Sequence, residues 1–122
     1  MLNPNLSRKE ISDESILEEY LLPKKYKRAH LYAIMSVRAN KNNQIKEYLF
    51  DLIKDKDKRE ELFVGTIIHA WLPVLHILEN GSTEIKSELK SILEKVWDRE
   101  EKRLFVSYIK KEQEYYSLLN DI

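Results

Sequence analysis

A chain of 122 residues with 43% apolar and 34% charged side chains is large enough for one globular domain, because folding at this size removes about two-thirds of the unfolded surface from water. Lys plus Arg and Asp plus Glu both number 21, so the whole chain lacks the excess positive charge that draws a strongly basic protein to polyanions. The absence of cysteine and the presence of only two glycines, Gly65 and Gly81, exclude disulfides, thiolate nucleophiles, Fe–S clusters, the glycine-rich phosphate loop and the dinucleotide fingerprint.

Residues 1–11 carry Arg8 and Lys9 but no apolar run after them, which is not the pattern of a secretory signal. They are expected to form a flexible N-terminal segment of an intracellular, cytoplasmic protein. A first helix is predicted from Asp13 to Leu22, capped by Ser12 or Asp13 and stopped by Pro23, with Ile16, Leu17, Tyr20 and Leu21 at helical spacing. A second should run from Lys24 to Ala39, ending in a turn built from Asn40, Asn42 and Asn43. The third, Gln44 to Lys54, buries Ile45, Leu49, Leu52 and Ile53.

Asp57 with Glu60 resembles a capping box that opens a fourth helix, Lys58 to Glu79, closed by Asn80-Gly81. Its portion Leu62 to Leu78 is seventeen residues without a formal charge, near the lower limit for crossing a bilayer. Gly65, His69, Pro73 and His76 within it, and a mean hydropathy of −0.54 for the chain, place it at the centre of a helical bundle instead.

From Thr83 to Asp121 there is neither glycine nor proline, and one helix of that length would be about 60 Å long. Two apolar directions argue for a break. Ile85, Leu89, Ile92, Leu93 and Val96 define one; Leu104, Phe105, Tyr108, Ile109, Tyr115 and Leu119 define another, rotated by more than about 100°. Asp98 followed by Glu101 supplies a cap for a restart between Trp97 and Glu100. An unbroken helix would project and invite a homodimer. Since no segment alternates with period two, no sheet is predicted. The expected fold is therefore a single all-α domain over residues 1–122, a compact bundle of five to six helices around the apolar helix at 62–78.

The three histidines, His30, His69 and His76, lack the Glu-x-x-His and His-Glu-x-x-His spacings of bundled metal sites. No cofactor and no metal site is implied, and no catalytic residue is assigned. Catalysis is the less expected class, although carboxylates and tyrosines far apart in sequence could be assembled by the fold alone.

Three features carry functional readings. The first is the acid-free run Lys24, Lys25, Lys27, Arg28, Arg38, Lys41 and Lys46. It contributes to a charge asymmetry, with 13 basic against 9 acidic residues over 1–59 and 8 against 12 over 60–122. Several of these cations crowd the positive end of the second helix. They are candidates for gripping an acidic protein or phosphates, unless Glu14, Glu18 and Glu19 neutralise them within the molecule. Helix, asparagine turn and a helix opening with Gln44 and Lys46 also imitate a helix-turn-helix.

The second feature is a stripe of Thr66, His69 and His76, with Leu62 and Pro73, on one face of the fourth helix, where Pro73 should kink it. This stripe is either a polar seam or a small-ligand site. His30, by contrast, is expected in the core. The third is Glu112, placed within the apolar face of Tyr108, Tyr115 and Tyr116; it should be paired, protonated or outside the core, and the tyrosines make this helix a candidate interface.

The overall expectation is a small regulatory or adaptor protein acting by protein–protein interaction, with no membrane association. A nucleic-acid-binding regulator using the basic 24–46 face is the first alternative, and a ligand binder at the histidine stripe the second.

Overall fold

The computed structural model describes residues 12–21 and 28–112. The described chain is all-α apart from one small hairpin. Its elements are α1 (Asp13–Leu21), α2 (Arg28–Arg38), α3 (Asn43–Lys54), α4 (Lys56–Glu60), β1 (Leu62–Val64), β2 (Ile67–Ile68), α5 (Trp71–Asn80), α6 (Thr83–Lys95) and α7 (Arg99–Lys111). The helices thus number seven among the described residues, against an expectation of five to six.

Side-chain caps set most of the helix starts. Ser12 Oγ accepts from the Ser15 amide at α1, Asn42 Oδ1 from Ile45 at α3 and Ser82 Oγ from Ile85 at α6. Each satisfies an amide that the first helical turn leaves without a partner. The expected break between α6 and α7 is present. Asp98 accepts from the Glu101 amide and Glu101 Oε1 accepts from the Asp98 amide, both at 2.8 Å, which completes a capping box.

The stretch predicted as one helix over 58–79 is four elements, α4, β1, β2 and α5. Asp55, not Asp57, caps the short α4 by accepting from the Asp57 amide. The chain then turns back as an antiparallel hairpin, with Leu62 opposite Ile68 and Val64 opposite Ile67. The register shift between those pairs bulges β1 at Phe63. Of the two loop residues, Gly65 and Thr66, only Gly65 has positive φ, at 56°. That pattern belongs to a type II′ hairpin turn and is what glycine makes accessible.

The expected kink at Pro73 is likewise replaced by a different arrangement. Pro73 is the third residue of α5, where the amide it lacks would have had no intrahelical partner. Proline here begins a helix instead of bending one. The fourth segment's apolar run is consequently divided between a hairpin and a ten-residue helix.

The role of hub nevertheless stays with part of that segment. Trp71, Pro73, Val74, Leu75, Ile77 and Leu78 of α5 are all buried, and α5 packs chiefly on α2, with further contacts to α3, α6 and β2. Leu31, Tyr32, Ile34 and Met35 of α2, Ile45, Leu49 and Ile53 of α3, and Leu89 and Leu93 of α6 complete one continuous hydrophobic cluster. Each such aliphatic chain taken out of water contributes about 1.5–3 kcal/mol before the entropy of ordering it is counted.

Two tryptophans attach α7 to this cluster. Trp71 lies 5.0 Å from the Tyr108 ring centroid and 6.0 Å from that of Phe105. Trp97 meets Phe105 edge-on at 5.8 Å and donates its indole N–H to the Ile53 carbonyl at 2.9 Å. Arg59 of α4 reaches Glu101 of α7 at 2.6 Å, with side chains only 14% and 17% exposed. Among the described residues, no helix is long and apolar enough to cross a membrane.

Candidate functional site

The hairpin folds over the one buried histidine. His69 follows β2 immediately and is 6% exposed. Its Nδ1 lies 2.7 Å from Glu61 Oε2 and its Nε2 lies 2.7 Å from the Tyr32 hydroxyl. Tyr32, on α2, is fully buried and accepts at 3.4 Å from Arg28 Nη1. Phe63 covers the imidazole edge-on, with centroids 5.1 Å apart, and Lys58 Nζ sits 3.3 Å from Glu61 Oε2. The result is a hydrogen-bonded chain, Lys58–Glu61–His69–Tyr32–Arg28, running from the surface of α4 through the hairpin's base to the start of α2.

Electrostatics fix the direction of those bonds. The His69 and Lys58 hydrogen bonds hold the Glu61 carboxyl below its ordinary range, so near neutral pH Glu61 is ionised and only accepts. Nδ1 of His69 must then carry the proton, Nε2 is a bare acceptor, and Tyr32 donates to it. Burial pushes the His69 pKa down despite the opposing Glu61 bond, helped by the nearby charges of Lys58 and Arg28. Burial also pushes Tyr32 up, against the pull of Arg28. A Tyr–His–carboxylate row has the members of an acid–base relay, but the Tyr32 hydroxyl is closed off from any substrate. What the row does is bind three segments together.

The histidine stripe of the sequence reading is not assembled. Thr66 lies at the exposed hairpin tip, His69 precedes α5, and His76 is half-buried within α5. The predicted single helix was the only thing aligning them. Both ring nitrogens of His69 are occupied, leaving no lone pair for a ligand. Burial, and then the charge of His30, hold His76 below its ordinary pKa. His30 itself is exposed, not in the core, because α2 turns Leu31, Tyr32, Ile34 and Met35 inward and leaves His30 and Val37 outside. Among the described residues, no three metal-ligating side chains come together.

The described part of the basic run is largely partnered within the molecule. Arg38 Nη1 meets Asp13 Oδ1 at 2.7 Å. Lys46 Nζ lies 3.1 Å from Glu88 and 3.8 Å from Glu47. The Arg28 guanidinium stacks over Tyr20 and Tyr32, 5.6 and 5.9 Å from their centroids. Lys41, exposed in the turn after α2, forms no ion pair among the described residues. Lys24, Lys25 and Lys27 lie outside the described residues.

Two of the turn's asparagines are also engaged. Asn40 donates to the Asn80 carbonyl and accepts from the Ser82 amide, while Asn42 caps α3 and donates to Asp13. The Asn42 and Arg38 bonds hold the Asp13 carboxyl below its ordinary pKa. Clefts of about 710 and 300 Å³ flank this turn, the first bordered by Asp13, Val37 and Arg38 and the second by Lys46, Ser82 and Glu88.

At the C-terminal candidate interface, Tyr108 is half-buried against Trp71. Glu112 is the exposed C-cap of α7 and does not project into an apolar face, because the helix ends there. Tyr115 and Tyr116 lie outside the described residues.

The residues that sequence reasoning missed are Tyr32, Glu61, Phe63 and Val64, while Leu62, expected in the histidine stripe, lies instead on the hairpin. Leu62 and Val64, alternate residues of β1, are 61% and 59% exposed while Phe63 between them turns inward. Leu-Phe-Val and Ile-Ile flanking Gly-Thr was the available signal for a two-residue hairpin. Compared with protein-family models, curated proteins and solved structures, the chain matches none.

Proposed function

We propose that this chain is a small regulatory or adaptor protein that acts by binding another protein, and that the outer face of the 62–68 hairpin is its contact surface. The observation that supports this reading is the contrast between its polar and apolar groups. His69, Arg38, Lys46, Asn40 and Asn42 are turned to internal partners, whereas Leu62 and Val64 stand in solvent beside each other. Two neighbouring aliphatic side chains on a strand form a small apolar patch, and the fitting partner is a protein with an aliphatic surface.

The internal pairing of Arg38 and Lys46 also weakens the case for a phosphate-gripping face, since a phosphate would have to compete with the Asp13 or Glu88 carboxylate for each cation. The test is affinity capture with the tagged chain, its Leu62→Lys/Val64→Lys variant and its Lys41→Glu variant, with and without nuclease. A protein captured by the parent and by Lys41→Glu, retained after nuclease, and lost with the hairpin variant supports the proposal. A catch that disappears on nuclease treatment or with Lys41→Glu, but survives the hairpin change, replaces it with the nucleic-acid reading.

A further inference from the structure

Glu61 and His69 lie at the two ends of the hairpin, and Tyr32 of α2 is hydrogen-bonded to the His69 end. The Tyr32 hydroxyl can donate one proton, and it already accepts from Arg28 at 3.4 Å. While His69 is neutral, every member has a matching partner: Nδ1–H donates to Glu61, and Tyr32 donates to Nε2. A second proton on His69 turns Nε2 into a donor. Tyr32 must then accept from both His69 and Arg28, and its own hydrogen faces no acceptor among the described residues. Two cations would converge on one buried oxygen.

The gain on the other side is smaller. Protonated His69 forms an ion pair with Glu61, but that side chain is 45% exposed and already shared with Lys58, so water and Lys58 screen much of the benefit. The groups facing His69 are Lys58 from α4, Glu61 from the α4–β1 connection, and Arg28 and Tyr32 from α2. β1 offers the uncharged Phe63 ring, and α5 offers the Leu72 amide, which donates to the His69 carbonyl. The cost therefore falls on the contact that joins hairpin to helix.

We propose that His69 is a proton-operated latch: its neutral imidazole, held between Glu61 and Tyr32, ties the base of the 62–68 hairpin to α2, and protonation in mild acid releases the hairpin while the helices remain folded. Local release is physically separable from unfolding. Besides the latch, the half-buried Ile67 and Ile68 and the packing of β2 on α4 and α5, the hairpin's base is tied by backbone bonds from His69 to Glu61 at 2.7 Å and from Ala70 to Lys58 at 3.0 Å. Small units of this kind open at lower free energy than the core. The inference goes beyond the protein-binding reading and is tested on the isolated chain.

The experiment measures amide protection factors, corrected for intrinsic exchange, between pH ~7.5 and ~5, together with the His69 imidazole titration by NMR. If the unlatched imidazole titrates near 6.5 and the latched one takes no proton, opening increases by up to about thirtyfold over that range. Protection of Phe63 to Ala70 is expected to fall severalfold, with a midpoint matching the His69 titration, while α3 and α6 hold theirs. His69→Gln presents a donor to Glu61 and an acceptor to Tyr32 without titrating, and should make hairpin protection flat. Hairpin protection constant in the parent, loss shared equally by α3 and α6, or loss persisting in His69→Gln would overturn the proposal. Should His69→Gln not fold, agreement or disagreement of the two midpoints in the parent decides.

Discussion

Replacing Tyr32 by Phe keeps the ring and removes one oxygen, so it isolates the polar chain from the packing around it. That oxygen donates to His69 Nε2 at 2.7 Å and accepts from Arg28 at 3.4 Å. Tyr32 is 0% exposed and His69 6%, so water is poorly placed to substitute. An imidazole nitrogen left buried without a donor costs about 1–3 kcal/mol, more than the net value of an ordinary hydrogen bond. With a urea m-value of ~1–3 kcal/mol/M for a domain of this size, the midpoint should fall by about 1 M without a change in slope. Tyr20→Phe is the control, because the Tyr20 hydroxyl makes only a 3.4 Å bond, to the Tyr48 carbonyl, in a half-buried position. Urea denaturation near pH ~7.5, with His69 neutral, should show a shift at least twice as large for Tyr32→Phe as for Tyr20→Phe. Equal shifts, or a Tyr32→Phe shift below ~0.3 M, would refute the argument that this hydroxyl meets an otherwise unsatisfied buried nitrogen.

Further outcomes follow from other parts of the structure. Folded His69 and His76 both titrate below their ordinary value, so the unfolded chain binds more protons; stability is full above pH ~6.5 and is lost as pH falls through the folded values, which thermal melts at pH ~7.5 and ~5.5 will register as a lower Tm in acid. Gly65→Ala meets no atom within 4 Å, so its cost is the backbone's alone at φ 56°, about 1 kcal/mol by denaturant titration. A double-mutant cycle on Arg59 and Glu101 should give a coupling of about 1 kcal/mol, because that pair is shielded and joins α4 to α7. The exposed Arg103–Glu100 pair should couple more weakly in the same assay.

What the sequence made legible were features written within a few residues of each other. Ser12 at α1, the Asp98–Glu101 box, and the stop at Asn80-Gly81 each combine a polar side chain or glycine with a local backbone need. The α6–α7 break was readable from two incompatible apolar directions, and the structure adds the anchor, Trp97 held to Ile53. The Leu62 to Leu78 run does not declare its break because a continuous apolar stretch does not by itself distinguish a helix from a strand. Its arbitrating signals were Gly65-Thr66 between two short aliphatic and aromatic runs, and a proline whose natural place is a first helical turn.

The polar chain at His69 had no comparable signature. Tyr32 is 37 residues from His69 and Glu61 is 8 residues away, and neither spacing has meaning until folding brings α2 to the base of the hairpin. The basic run shows the opposite failure. Its acid-free sequence was plain, but the neutralising groups, Asp13 and Glu88, arrive from α1 and α6. Charge patterning along a chain shows where cations concentrate, whereas packing decides which of them remain available.

Both functional proposals require that residues 62–68 form a hairpin and that the helix begin only at Trp71. Backbone chemical shifts and short interproton distances across 62–78 measure this directly. The account predicts extended shifts at 62–64 and 67–68, cross-strand contacts from Leu62 to Ile68 and from Val64 to Ile67, and helical shifts starting at Trp71. Unbroken helical shifts from Leu62 through Leu78, with sequential helical contacts across Gly65, would contradict it.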